Sequence, residues 1–378
     1  MIYFDNAATT PVDPAVIDVI HEVLQKDWGN PSSLHRKGYQ AEKRLSAARE
    51  SIAGILGTDA KSIYFTGSAT DANNIAIRGS LKSGAGQNIV ISAIEHSSIL
   101  NLAAQLEREG WEIRKIPVDS YGRVRWPEVD KLVDDHTALV AVMHVNNELG
   151  TIEPVAEIGK RLKEDHPEVR FLVDGTQALG KLAVRLSALP IDFYTASGHK
   201  LMAPKGVGML YVHPDAVLRP LEYGGGQERG LHPGTENVAY ACGMARALEL
   251  MMQARTNEQY DPNIMEIHRR AQARIARMQG VRLNSPEDAS PYILNIAIEG
   301  IRAEVLMHFM EMEEMYLSSG SACSKGRASH VLEAIGIPDH LREGCVRISF
   351  QRENRPDEVD PFFDRMEEGI QMMRELQR

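Results

Sequence analysis

Over the first two thirds of this chain, short β-branched runs alternate regularly with amphipathic stretches, and this alternation restricts the fold more than any other feature. The runs at 62–66, 88–92, 112–117, 138–144, 170–174, 191–196 and 207–212 are predicted strands. Helices fill the gaps. The clearest is 39–56, where Ala41, Leu45, Ala48, Ile52, Ile55 and Leu56 share one face. Residues 97–109 and 154–164 repeat the pattern. Such alternation predicts an α/β fold with a mostly parallel seven-stranded sheet covered on both faces. Sheets of this kind bind ligands beyond the carboxyl ends of their strands. The residues that follow each strand are therefore the first candidates for chemistry.

The pattern changes after Tyr223, where Gly224-Gly225-Gly226 interrupts the chain. Helices are predicted at 234–255, 264–279, 302–312 and 357–376, and strands at 292–298 and 346–350. This reads as a smaller α+β domain, against which the N-terminal thirty residues are expected to pack. The division drawn is a large domain at 15–255 and a small one made of 1–14 with 256–378. A chain of 378 residues, 43% of them apolar, can bury a core without disulfides. Its three cysteines, Cys242, Cys323 and Cys345, lack metal-ligand spacing and fit a reducing compartment. The opening residues show no basic and apolar signal pattern, and no apolar run is long enough to span a bilayer. The net charge of −10 disfavours direct binding to nucleic acid or anionic membrane. A cytoplasmic enzyme is expected.

Several predicted strand ends carry reactive or polar residues. Lys200 follows strand 191–196 within Ser197-Gly198-His199-Lys200. A lysine that attacks a carbonyl needs a lowered pKa in a partly dry site, and a strand end supplies one. Asp174 ends strand 170–174, where a carboxylate could keep a pyridine nitrogen protonated, and Gln177 could bond a ring hydroxyl. Thr66-Gly67-Ser68-Ala69-Thr70-Asp71 reads as strand, small-residue turn and helix start, an anion cradle that Ser197 and His199 could complete. His96 and Asn147 follow two further strands. Taken singly, Asp174 reads equally well as a helix cap and His96 as a core histidine. Their joint occurrence points to a site for pyridoxal 5'-phosphate (PLP). Cys323 sits among small residues between Gly320 and Gly326, which predicts an exposed mobile loop, whereas Cys242 and Cys345 are predicted to be buried. Arg347 could grip a carboxylate.

The chain resembles the NifS/IscS group of cysteine desulfurases, in the class V aminotransferase family of fold-type I PLP enzymes. The resemblance runs over essentially the whole sequence. It includes Phe4-Asp5-Asn6-Ala7-Ala8-Thr9-Thr10, Glu95-His96, Asp174-Gly175-Thr176-Gln177, Ser197-Gly198-His199-Lys200, Gly234-Thr235-Glu236-Asn237 and Ser318-Ser319-Gly320-Ser321-Ala322-Cys323. It implies the fold-type I transferase fold. PLP would be held on Lys200, with Asp174 at the ring nitrogen, Gln177 at the ring oxygen and His96 over the ring. Ala69, Thr70, Ser197 and His199 would hold the phosphate, and Thr235 would reach the phosphate of a neighbouring subunit in a homodimer. Asn147 and Arg347 would bind the substrate carboxylate. Lys200, His96 and Cys323 would be catalytic, with Cys323 taking sulfur from L-cysteine as a persulfide and alanine leaving. The acceptor would be an iron–sulfur scaffold, a tRNA thiolation enzyme or a DNA-modification system. This chain departs from the pattern at Gly67-Ser68, at His232-Pro233 where many members carry arginine, and after Cys323. Two alternatives stay open. One is another fold-type I enzyme, such as a selenocysteine lyase or an aminotransferase. The other is a non-catalytic dimeric platform for sulfur-handling partners.

Overall fold

The computed structural model describes residues 1–81, 87–255, 259–320 and 329–376. The strands are β1 (Ile2–Tyr3), β2 (Ile63–Thr66), β3 (Asn88–Ser92), β4 (Glu112–Ile116), β5 (Thr137–Ala141) and β6 (Arg170–Asp174). They continue with β7 (Phe193–Ser197), β8 (Gly208–Val212), β9 (Val281–Leu283), β10 (Ile293–Ile298), β11 (Met315–Tyr316) and β12 (Cys345–Ser349). The helices begin with α1 (Pro14–Lys26), α2 (Arg36–Leu56), α3 (Ala69–Ser80), α4 (Ser97–Arg108), α5 (Trp126–Asp130) and α6 (Val155–Asp165). After the central sheet come α7 (Val238–Ala254), α8 (Pro262–Ile275), α9 (Ala303–Glu311), α10 (His330–Ala334), α11 (Asp339–Arg342) and α12 (Val359–Leu376). Among the described residues no helix is long and apolar enough to cross a membrane.

The expected seven-stranded sheet is present, in the order β2-β8-β7-β6-β5-β3-β4. β8 runs antiparallel to β2 and β7, and the other pairs are parallel. Every residue of β3, β7 and β8 is buried. Helices cover both faces, which is why these strands read as unbroken apolar runs. The edge strand β4 instead carries Glu112, Arg114 and Lys115, charges that discourage edge-to-edge pairing. After β4 at the edge the chain returns to place β5 on the far side of β3. That reversal opens a crevice beyond the carboxyl ends of β3 and β5.

A second sheet, β12-β10-β9, is antiparallel, and β1 pairs in parallel with β11. Phe4 lies edge-on to Phe350, with ring centroids 5.0 Å apart, and 4.7 Å from Phe362. α1 packs along α7, which lies in the segment after Tyr223. The start of α1 is set locally: Asp13 accepts a hydrogen bond from the Ala15 amide and Pro14 opens the helix. α7 begins at Val238, not at 234, because the Asn237 side chain caps it and Gly234 has a φ of +125°.

Candidate active site

The crevice leads into a cavity of about 270 Å³. Asp174, at the end of β6, lies at its base and is 4% exposed. Its Oδ1 accepts from the Thr176 amide at 3.0 Å, and its Oδ2 accepts from Asn73 Nδ2 at 2.9 Å. Asn73 is held in turn by the Thr195 hydroxyl, which donates to its Oδ1 at 2.7 Å. The next residue, Gly175, has no room for a side chain: a Cβ there would meet Tyr194 Cζ at 1.9 Å.

Lys200 closes a single 3-10 turn that follows β7. Its Nζ donates to the carbonyls of Ala7 at 2.7 Å and Ala8 at 2.5 Å. The opposite wall is the start of α3, where the Ser68 side chain accepts from the Asp71 amide at 3.1 Å. β8 passes close beneath that turn, and a Cβ on Gly208 would come within 2.5 Å of the Ser68 carbonyl carbon. Glycine at 208 thus lets the helix start sit close over β8, and Ser68, Ala69 and Thr70 line the cavity there.

His96 caps α4, and its Nδ1 accepts from the Ser98 amide at 3.1 Å, which leaves the proton on Nε2. Burial, with Lys200 and His330 nearby, lowers its pKa below 6.5, so the ring is neutral at pH 7. His199 is pushed down to about 4, first by burial and then by Lys200. Arg347 is 1% exposed and donates to the Asn147 carbonyl at 2.9 Å and to Asp5 Oδ1 at 2.8 Å.

Ala69, Thr70, His96, Asn147, Asp174, Gln177, Ser197, His199, Lys200 and Arg347 all line this one cavity. Thr235 does not: it is exposed and borders a neighbouring pocket with Gly67, His232 and Glu228. Cys323 lies outside the described residues, as do Lys325 and Arg327. Cys242 and Cys345 are buried, and burial pushes both thiols up to about 11. His232, where arginine was expected, stands 3.0 Å from Asp71 Oδ2, and that contact raises its pKa. Part of the positive charge is thereby kept.

Sequence reasoning missed Asp5, the Ala7 and Ala8 carbonyls, Asn73 and Lys181. Asn73 carried a faint signal, an amide in the middle of a helix, and it proves to be fully buried. Glu95 was read only as part of a motif. It is fully buried, and its Oε1 accepts from the Ser92 hydroxyl at 2.5 Å and from the amide of Met143, a cavity-lining residue, at 2.7 Å. Burial foremost, with the Asp174 and Glu153 carboxylates, pushes its pKa up from 4.5 to about 8. Between those values the folded chain keeps a proton that the unfolded chain has released, so this group costs stability increasingly as pH rises. Glu95→Gln is therefore expected to gain stability relative to wild type between about pH 5 and about pH 8, read as urea midpoints. A constant difference across that range would mean that Glu95 is ionised in the folded protein.

The cavity's donor set fits PLP. The start of α3 with Ser68 and Thr70 suits a phosphate, the Lys200 amine an aldehyde carbon, the Gln177 amide a ring oxygen and Asp174 a ring nitrogen. Comparison with known proteins agrees. A family model described as Aminotransferase class-V matches residues 2–362, and the chain belongs to that family. It is 39% identical over 381 residues to a NifS/IcsS protein homolog of Lactobacillus delbrueckii subsp. bulgaricus, covering 98% of this chain and 97% of that one. A cysteine desulfurase of Nostoc sp. is 37% identical, covering 100% of this chain and 94% of its own. The solved structure of a NifS-like protein superposes with a TM-score of 0.90 at 33% identity, covering 98% and 99% of the two chains. Within the family the chain stands with the cysteine desulfurases of the NifS/IscS group.

Proposed function

We propose that this protein is a PLP-dependent cysteine desulfurase that converts L-cysteine to L-alanine and holds the sulfur on Cys323 for an acceptor. The observation that carries this reading is the convergence of Lys200, Asp174 and the start of α3 on one cavity. The burial of the two other thiols adds to it, since a thiol held near pKa 11 is a poor nucleophile at neutral pH.

Bound PLP would supply an electron sink for charge developing at the substrate α-carbon. The chain's own residues would do the rest. Arg347 and Asn147 would hold the substrate carboxylate, with Asp5 keeping the guanidinium in place. The Lys200 amine, close to the α-carbon, would take the α-proton. Neutral His96, with its proton on Nε2, could hold or pass a proton on the face above. The Cys323 thiolate would then attack the substrate sulfur. The S–Cβ electron pair would stay with the carbon fragment, which takes one proton at Cβ, regains the α-proton and leaves as alanine.

The exposure of Thr235, together with exposed Trp28, Leu34, Tyr39 and Tyr223, supports a homodimer in which Thr235 serves the partner's phosphate site. The pairing of β1 with β11 supports assigning 1–14 and 256–378 to a small domain beside a large one at 15–255. A sulfur-acceptor protein and a cytoplasmic setting complete the proposal.

The test is alanine released from L-cysteine by PLP-loaded protein with a thiol reductant. Cys323→Ala is expected to keep the visible absorption band and lose at least about a hundredfold in rate. Alanine formed by the variant at the wild-type rate would remove Cys323 from the mechanism.

A further inference from the structure

Lys181 is 1% exposed, although lysine is rarely buried without a charged partner. The charges it feels most are those of Lys200 and Arg347, both of its own sign. Burial first, and then those two cations, push its pKa down to about 7. Its ammonium lies 5.6 Å from the Tyr292 ring centroid, a contact that offsets part of the cost of burial. Its hydrogen bond goes to Gln177, four residues earlier, whose Oε1 accepts from Lys181 Nζ at 2.9 Å. On the other side, Gln177 Nε2 donates to the Ala7 carbonyl at 2.9 Å.

These two contacts fix the polarity of the amide. The Ala7 carbonyl can only accept, so it takes the NH2 end of Gln177, and Lys181 Nζ donates to the carbonyl end. The NH2 end is turned to Ala7 and the cavity, with one N–H bonded to Ala7 and the other left for an acceptor in the cavity. Without Lys181 the Gln177 carbonyl loses its donor and only the Ala7 contact opposes a rotation that would turn the amide oxygen toward an oxygen on a bound ring.

We propose that Lys181 is a positioning residue that locks the Gln177 amide so that it presents an N–H donor to the ring oxygen of PLP. This inference rests on the reading of the cavity as a PLP site.

The test uses the full-length apoprotein titrated with PLP, followed by visible absorption, in wild type, Lys181→Met, Gln177→Met and the double variant. Lys181→Met is expected to weaken PLP binding about tenfold and to move the pH midpoint of the visible band. In the Gln177→Met background the same change is expected to alter affinity by less than about twofold, because the lysine acts through the amide. Lys181→Arg, which restores a donor, is expected to recover most of the affinity. The urea midpoint of the Lys181→Met apoprotein is expected to equal or exceed that of wild type, since a buried amine facing two cations and no carboxylate has been removed. Equal weakening in both backgrounds, no weakening at all, or a Lys181→Met protein that does not fold would each overturn the proposal. Failure of the wild type to bind PLP would instead overturn the cofactor reading.

Discussion

Lys200→Ala is expected to abolish the visible absorption band that PLP gives on the wild-type protein and to slow alanine formation at least a thousandfold, ~4 kcal/mol of barrier. The amine has two tasks in the proposed reaction, and among the described residues no neighbour can take over either. Its hydrogen bonds to the Ala7 and Ala8 carbonyls hold it at the cavity mouth of the turn after β7. His96 faces the same cavity, but its imidazole cannot bond the cofactor carbon in place of a primary amine. Lys181 is an amine too, yet it is fully buried behind Gln177. The Lys200→Ala protein should still capture PLP non-covalently through Asp174 and the α3 cradle, so dialysis should strip the cofactor faster than from wild type. A variant that kept both the band and the rate would place the cofactor somewhere other than on Lys200.

Gly175→Ala is expected to cost about 3 kcal/mol or more of stability, large for one added methyl group. The new carbon would fall 1.9 Å from Tyr194 Cζ and 2.3 Å from its hydroxyl oxygen. The ring has little freedom to retreat, being wholly buried with its hydroxyl 3.0 Å from His144 Nδ1. The backbone is also held, because the Gly175 amide donates to the Thr195 carbonyl at 2.9 Å. Relief must come from the end of β6, which carries Asp174, so PLP affinity should fall along with stability. Adding Tyr194→Leu in the same chain should recover part of the loss, a non-additivity that a urea-denaturation cycle would reveal. Simple additivity of the two changes would mean that the strain is relieved elsewhere.

The central sheet was legible because most of its strands are short and apolar, the charged edge strand β4 being the exception. β3 and β6 match their expected bounds, and the carboxyl-end rule led from them to His96 and Asp174. β5 is shorter than expected: past Ala141 the chain still donates from Val142 and His144 to β6, but it is already turning toward the cavity. What stayed hidden are groups whose meaning depends on distant partners. Nothing near Asp5 in sequence announces Arg347, and nothing near Lys200 announces the Ala7 carbonyl. Lys181 was hidden for a different reason: its partner is only four residues away, but the spacing says nothing about burial.

The short strand β1 and the residues after it bear on how this protein is made. The carbonyls that hold Lys200 and the carboxylate that holds Arg347 come from the first eight residues, and Asp5 is 342 positions from its arginine. During synthesis that segment is made long before β11 and β12, and its pairing with them must wait until they follow. The large sheet can form before then, but the catalytic pocket cannot, so a nascent chain should acquire bulk structure well before it can retain a cofactor. Maturation should accordingly end with a late step in which the β1 segment meets β11 and β12.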